Sequence, residues 1–249
     1  VRVGQASPSV EPVTATTLTL ADLPTWTTAV AVASLALAAV CAAWVTVDVV
    51  RHPPRMRVMA VVWPVTMLFG SVLWLALYLR WGRGTRTEER PRPASVAVGA
   101  SHCGAGCTLG DVVGESFLIL VPGLAAAVGL GTLYSDELYA RWIVDFGAAY
   151  LIGIAFQYYA IAPMRQVTVR QGLWLAVKAD TLSITAWQVG MYGLMALAQL
   201  AVLPAVLGGR LAVSTPQFWA VMQLAMLAGF VTSYPVNWWL VRVGIKEAM

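Results

Sequence analysis

Along this chain apolar residues gather into long, nearly uncharged runs separated by short polar connections. A helix needs about 18 or more such residues to cross the hydrocarbon core of a bilayer. Runs of that kind lie near residues 26–49, 58–80, 112–133, 142–163, 181–203 and 216–241, and predict an all-α integral membrane bundle of six transmembrane helices. Composition removes the main alternative. A chain that is 59% hydrophobic and 11% charged lies outside the range of soluble domains, which need more polar surface to cover a core of this size. Trp26, Trp63, Trp81, Trp142, Trp174, Trp219, Trp238 and Trp239 fall mostly near the predicted ends, where amphipathic rings settle among headgroups.

Charge bears on orientation. Alternating spans from a cytoplasmic amino terminus put Arg2, Arg80, Arg83, Arg86, Arg90, Arg92, Arg165, Arg170, Lys178, Arg242 and Lys246 inside, and Arg51, Arg55, Arg57, Arg141 and Arg210 outside. Eleven against five favours both termini in the cytoplasm, in a multi-pass protein of the cell's inner or cytoplasmic membrane. Arg51, Arg55 and Arg57, between the first two spans, argue the other way. The formal net charge of +4 follows from this topogenic bias. No basic surface interleaved with aromatics points to nucleic acid; the expected partners are the bilayer and a second copy or a membrane complex.

Residues 1–25, rich in Ser, Thr, Pro and Val, lack the basic and short apolar regions of a cleavable signal and read as a flexible tail. The two spans in 26–80 form a hairpin, residues 81–100 a linker with Arg, Pro, Glu and Gly, and 101–249 a four-helix core. No internal repeat of the secondary-transporter kind is visible.

The chemistry concentrates in Ser101-His102-Cys103-Gly104-Ala105-Gly106-Cys107-Thr108-Leu109-Gly110-Asp111-Val112-Val113-Gly114-Glu115. On a helix Cys103, Cys107, Asp111 and Glu115 recur every four residues and form a ladder on one face. Thiolate and imidazole suit cuprous copper or zinc, and a carboxylate can complete a zinc sphere, so His102, Cys103, Cys107 and Asp111 are the candidate metal ligands. Because Cys103 to Glu115 spans about 18 Å of helical rise, one ion cannot use every rung. Glu115, Asp145, Lys178, Asp180 and Gln188 are therefore expected to continue an ion or proton relay. His102 points about 100° away from Cys103 on a regular helix, so joint ligation requires the glycines to break it. Helical residues four apart hold their β-carbons about 5–6 Å from each other, too far for a relaxed disulfide unless the glycines make a loop there. Gly106, Gly110 and Gly114 also make a small-residue edge suited to close helix packing.

Elsewhere Lys178, Thr181, Thr185, Gln188, Tyr192 and Gln199 make a polar stripe on the fifth span, expected to face protein or water. Asp145 and Gln157 mark the fourth span, with Arg141 a turn before Asp145 as its partner. Gln223, Ser233, Tyr234 and Asn237 share a face of the sixth, where hydrogen bonding between helices accounts for them. Pro64, Pro122, Pro163, Pro204 and Pro235 are sites of kinks or ends. Cys41 reads as a small core residue. His52 lies on the opposite side from His102, so a bis-histidine haem is disfavoured. Walker, Gly-x-Ser-x-Gly and His-Glu-x-x-His motifs are absent.

Three segments, Ser101–Asp111, Val177–Gly190, and Thr232–Trp239 with Gly244–Met249, resemble a family of bacterial and archaeal polytopic membrane proteins described only as a domain of unknown function. The first carries its His-Cys-x-x-Gly-Cys-x-x-Gly-Asp pattern. The resemblance implies an integral membrane protein and assigns no activity. The residues leave three readings open: binding or transport of copper or zinc, a membrane dithiol/disulfide protein, and a non-catalytic accessory subunit of a membrane complex. The first and third are not enzymatic.

Overall fold

The computed structural model describes residues 16–54, 56–84, 90–121, 123–165 and 167–246. Most of the expected tail, together with Arg2, Arg55, Arg86 and Pro122, lies outside the described residues. The order is β1 (Thr17–Leu18), α1 (Thr25–Arg51), α2 (Met59–Leu77), α3 (Arg92–Leu120), a short α4 (Gly123–Ala127), α5 (Glu137–Arg165), α6 (Val169–Ala196), a short α7 (Leu203–Leu207), β2 (Arg210–Leu211) and α8 (Pro216–Arg242). A π-helical turn extends α2 to Gly82, and another joins α6 to α7. Six of the helical segments are long and apolar enough to cross a membrane, so the protein is an all-α, multi-pass membrane bundle. Large apolar side chains on its outer surface, among them Val40, Leu73, Ile119, Leu151 and Val231, face the lipid.

The third helix starts at Arg92, about twenty residues before the expected run at 112, and takes in the second half of the expected linker. Nearly every residue from Ala94 to Asp111 is buried. The polar residues of that stretch lower the local hydropathy, but they face other helices. The helix packs against α2, α5, α6 and α8, which makes it the central element.

The second helix is folded back on itself. Ser71 has non-helical dihedrals (φ 46°, ψ −126°). The rings of Trp63 and Tyr78 are 5.4 Å apart, whereas fifteen residues of unbroken helix would hold them about 22 Å apart. Gly82 also lies against Trp63. Segments 59–70 and 72–82 are thus two antiparallel half-helices, each about 17 Å long, that enter and leave by the same face. A broken helix at membrane depth persists only where protein satisfies its freed backbone groups. Here Gln223 of α8 donates to the Leu68 carbonyl at 2.6 Å and accepts from Ser34 of α1 at 2.7 Å. Trp74 donates to Ser101 on α3 at 2.8 Å.

This fold-back sets the direction of α8. Gln217, in its first turn, donates to Thr28 and Thr27 in the first turn of α1 at 2.7 and 3.2 Å. Above them β1 and β2 pair in parallel. The helices α1 and α8 therefore begin on one face, the strand face. At the other, the hairpin face, Asp48 near the end of α1 accepts from Tyr78 at 2.7 Å and from Arg83 at 2.8 and 2.9 Å. There too Tyr234 near the end of α8 donates to Pro93 at the start of α3. The chain enters α1 on the strand face and leaves α8 on the hairpin face, which corrects the expectation that both termini share a side. Among the described residues Arg51, Arg57, Arg80, Arg83, Arg90, Arg92, Arg170 and Arg242 gather at the hairpin face, against Arg141 and Arg210 at the strand face. The arginines after α1, discordant in the sequence, now join the basic majority.

Candidate functional site

The ladder remains helical. No break occurs at Gly104 or Gly106, because α3 needs their lack of side chains: a β-carbon on Gly104 would strike Trp187 of α6, and one on Gly106 would lie 2.9 Å from the Gly153 backbone. Gly110 meets the Ala149 backbone and Gly114 meets Asp145 in the same way, so α3 and α5 touch backbone to backbone. Gly110→Leu is expected to destabilise the protein by about 1–3 kcal/mol through overpacking. Thermal melting in detergent checks this, with Gly147→Leu as control, since nothing lies within 4 Å of that glycine's missing side chain.

A regular helix separates the proposed metal ligands. His102 turns toward α5 and packs on Phe156 at a centroid distance of 5.8 Å, with both ring nitrogens buried and unpartnered. Cys103 turns toward α6 and is engaged there. Among the described residues no three His, Cys, Asp or Glu side chains come together to hold an ion, so the His102, Cys103, Cys107, Asp111 capture site for copper or zinc is not assembled. Both cysteines are buried free thiols. At helical spacing their β-carbons sit about 5–6 Å apart, which leaves the dithiol/disulfide reading without geometric support.

Instead the structure holds two polar clusters. In the first, Cys103 donates to Asp180 at 2.8 Å and lies 2.9 Å from the Ser183 hydroxyl. Asn237 of α8 donates to Ser183 at 2.7 Å. Lys246, in the turn after α8, donates to Asp180 Oδ1 at 2.7 Å and to Cys103 Sγ at 3.1 Å. Every member is buried, with Lys246 3% exposed and Asp180 fully enclosed. An ammonium at 3.1 Å from the sulfur supplies the positive charge that a soft metal would bring and opposes a second cation there. Asp180 Oδ2 is left without a partner.

The second cluster lies about two to three turns further along α3, toward the strand face. Asp111 and Asp145 are each almost wholly buried, and both Asp111 oxygens and Asp145 Oδ1 lack hydrogen-bond partners. Asp145 is within electrostatic reach of Asp111, Glu115 and Arg141. Arg141 pairs with Glu115 and, at 2.6 Å, with the exposed Glu137, and not with the Asp145 one turn away. Tyr192 donates to the Trp142 carbonyl at 2.9 Å and stacks on that ring. Both line an aromatic cavity of about 450 Å³ with Tyr134, Tyr139, Ile143 and Phe146.

Lys178 is exposed and belongs to neither cluster; the buried face of α6 runs through Asp180, Ser183, Ile184, Trp187 and Met191. The expected stripe is offset from it: Thr185 is exposed and Thr181 half-buried against Tyr150. Gln188 is buried, with both amide atoms unpartnered. The buried lysine of the first cluster, which the sequence did not single out, is Lys246. Its signal was weak, because it sits just past the last apolar run, where a basic residue reads as topogenic.

The family model for a domain of unknown function, DUF4396, matches residues 94–246. The chain belongs to that family. The DUF4396 match spans α3, α5, α6, α8 and Lys246, and so contains both polar clusters, while α1 and the folded-back α2 lie before it. No curated protein and no solved structure matches the chain.

Proposed function

We propose that the protein moves protons across its membrane along the inner face of α3. The observation that carries this is the pair Asp111 and Asp145, both buried, within electrostatic reach of one another, and with most of their oxygens unpartnered. A carboxylate costs several kcal/mol within a membrane unless it is protonated, paired or wetted, and a second carboxyl within electrostatic reach disfavours ionisation of both. The pair is therefore a proton-holding site. Glu115, Arg141 and the exposed Glu137 connect it to the strand face. Cys107 and Cys103 continue toward the hairpin face in steps of about 6 Å, one helical turn each, and Cys103 then meets Asp180 of α6 at 2.8 Å. The arginine-rich hairpin face is the cytoplasmic one on this reading.

The test is proton entry into liposomes that contain the protein and a trapped pH-sensitive dye, under an imposed pH gradient with a compensating potassium current. Entry should be faster than in protein-free liposomes at the same lipid composition. Equal rates overturn the reading.

A further inference from the structure

We infer that the turn after α8 is a plug, with the Lys246 ammonium closing the hairpin-face end of the polar interior by occupying a cation site formed by Asp180, Cys103 and Ser183. The inference rests on the proton-path reading for its purpose, and on packing alone for its existence. After Arg242 the helix stops, and Gly244 adopts φ +74°, a left-handed conformation that reverses the chain. The amides of Ile245 and Lys246 then both donate to the Leu240 carbonyl, at 3.0 and 3.2 Å. This tight turn carries Lys246 from the aqueous end of α8 back into the bundle, where its side chain is 1% exposed.

The receiving site is built from other helices. Asp180 Oδ1 accepts from Lys246 at 2.7 Å, the Cys103 sulfur lies at 3.1 Å, and Asn237 holds Ser183 in place. A lysine side chain is long, flexible and strongly hydrated when free. Holding it dry requires the carboxylate, and removing it leaves Asp180 buried with no cation. The plug is thus a tethered cation in a site whose walls do not depend on the tether. It is also the one part of the cluster carried by a short turn and not by a long helix, and so the part able to leave without repacking the bundle.

Accessibility of Cys103 tests this without relying on transport. In protein whose only cysteine is Cys103, a small cationic thiol reagent should react slowly. With Lys246→Gln the rate should rise about tenfold or more, as the local closed state is lost. Methylammonium, which can take the vacated place, should slow it again, and Lys246→Arg should stay near the parent rate. Protein whose only cysteine is Cys41 controls for general loosening, since Cys41 is buried in α1, away from the plug. Lys246→Gln reacting at the parent rate, or Cys41 accelerating equally, overturns the inference. Absence of proton flux in all forms, with the labelling difference intact, would remove the transport reading and leave the closure standing.

Discussion

Replacing Asp111 by Asn should reduce proton flux by about a hundredfold or more, the scale on which removal of an essential proton-transfer group is felt, while leaving the protein as stable as the parent. Asp145→Asn should do the same, and the double variant should be no worse than either. The combination follows from the missing partners: both Asp111 oxygens are buried without a hydrogen bond, so the carboxyl adds little to the fold. A neutral amide of the same shape removes the proton-holding group and a buried acid together. Asp180→Asn gives the contrast, because it orphans the buried Lys246 ammonium. Breaking a buried pair in this way costs about 3–5 kcal/mol, and that variant should melt well below the parent. Flux in reconstituted liposomes and melting in detergent separate the two classes. Asp111→Asn with normal flux would rule out the carboxyl pair as the carrier.

An all-or-none result is expected for topology. Cysteines placed at Thr16 and Ser214, both exposed on the strand face, should react with a membrane-impermeant thiol reagent from one side only. Those at Arg57 and Val243, exposed on the hairpin face, should react only from the other. An unbroken second helix would put Thr16 and Val243 on the same side. Labelling of both from one side would therefore overturn the fold-back at Ser71.

Much of the architecture was legible because lipid-facing helices are written in composition. The runs at 26–49 and 216–241 correspond to α1 and α8 within a residue or two at each end. The second run was found but its path was not: residues 59–82 are apolar on both sides of Gly70 and Ser71, and hydropathy is blind to a reversal of direction inside an apolar stretch. The start of α3 was missed for the opposite reason, since a helix enclosed by other helices has no need to be apolar. For the site, Cys103, Asp111, Glu115, Asp145, Asp180 and Gln188 were visible as ionisable or polar residues where lipid forbids them. Their grouping was not. Whether Cys103 meets His102 or Asp180 depends on which helix lies beside each face, and that is a property of the bundle. Lys178 and Lys246 show the same limit: the exposed lysine lies in mid-helix and the buried one in a turn.

The glycine contacts also divide the bundle mechanically. Gly106 and Gly110 press α3 against the backbone of α5, and Gly190 presses α6 against the Ala228 backbone of α8. Between the two pairs the contacts are made by side chains, as with Trp187 against Gly104 and Ile184 against Gly153. Backbone contacts yield little, whereas side-chain contacts can slide or change rotamer. The four helices therefore form two stiff blocks with a compliant seam between them. Cys103 sits on one bank of that seam and Asp180, Ser183 and Asn237 on the other, so a rocking of the blocks by about an ångström or two would make and break the contacts of Cys103 with Asp180, Ser183 and Lys246 together.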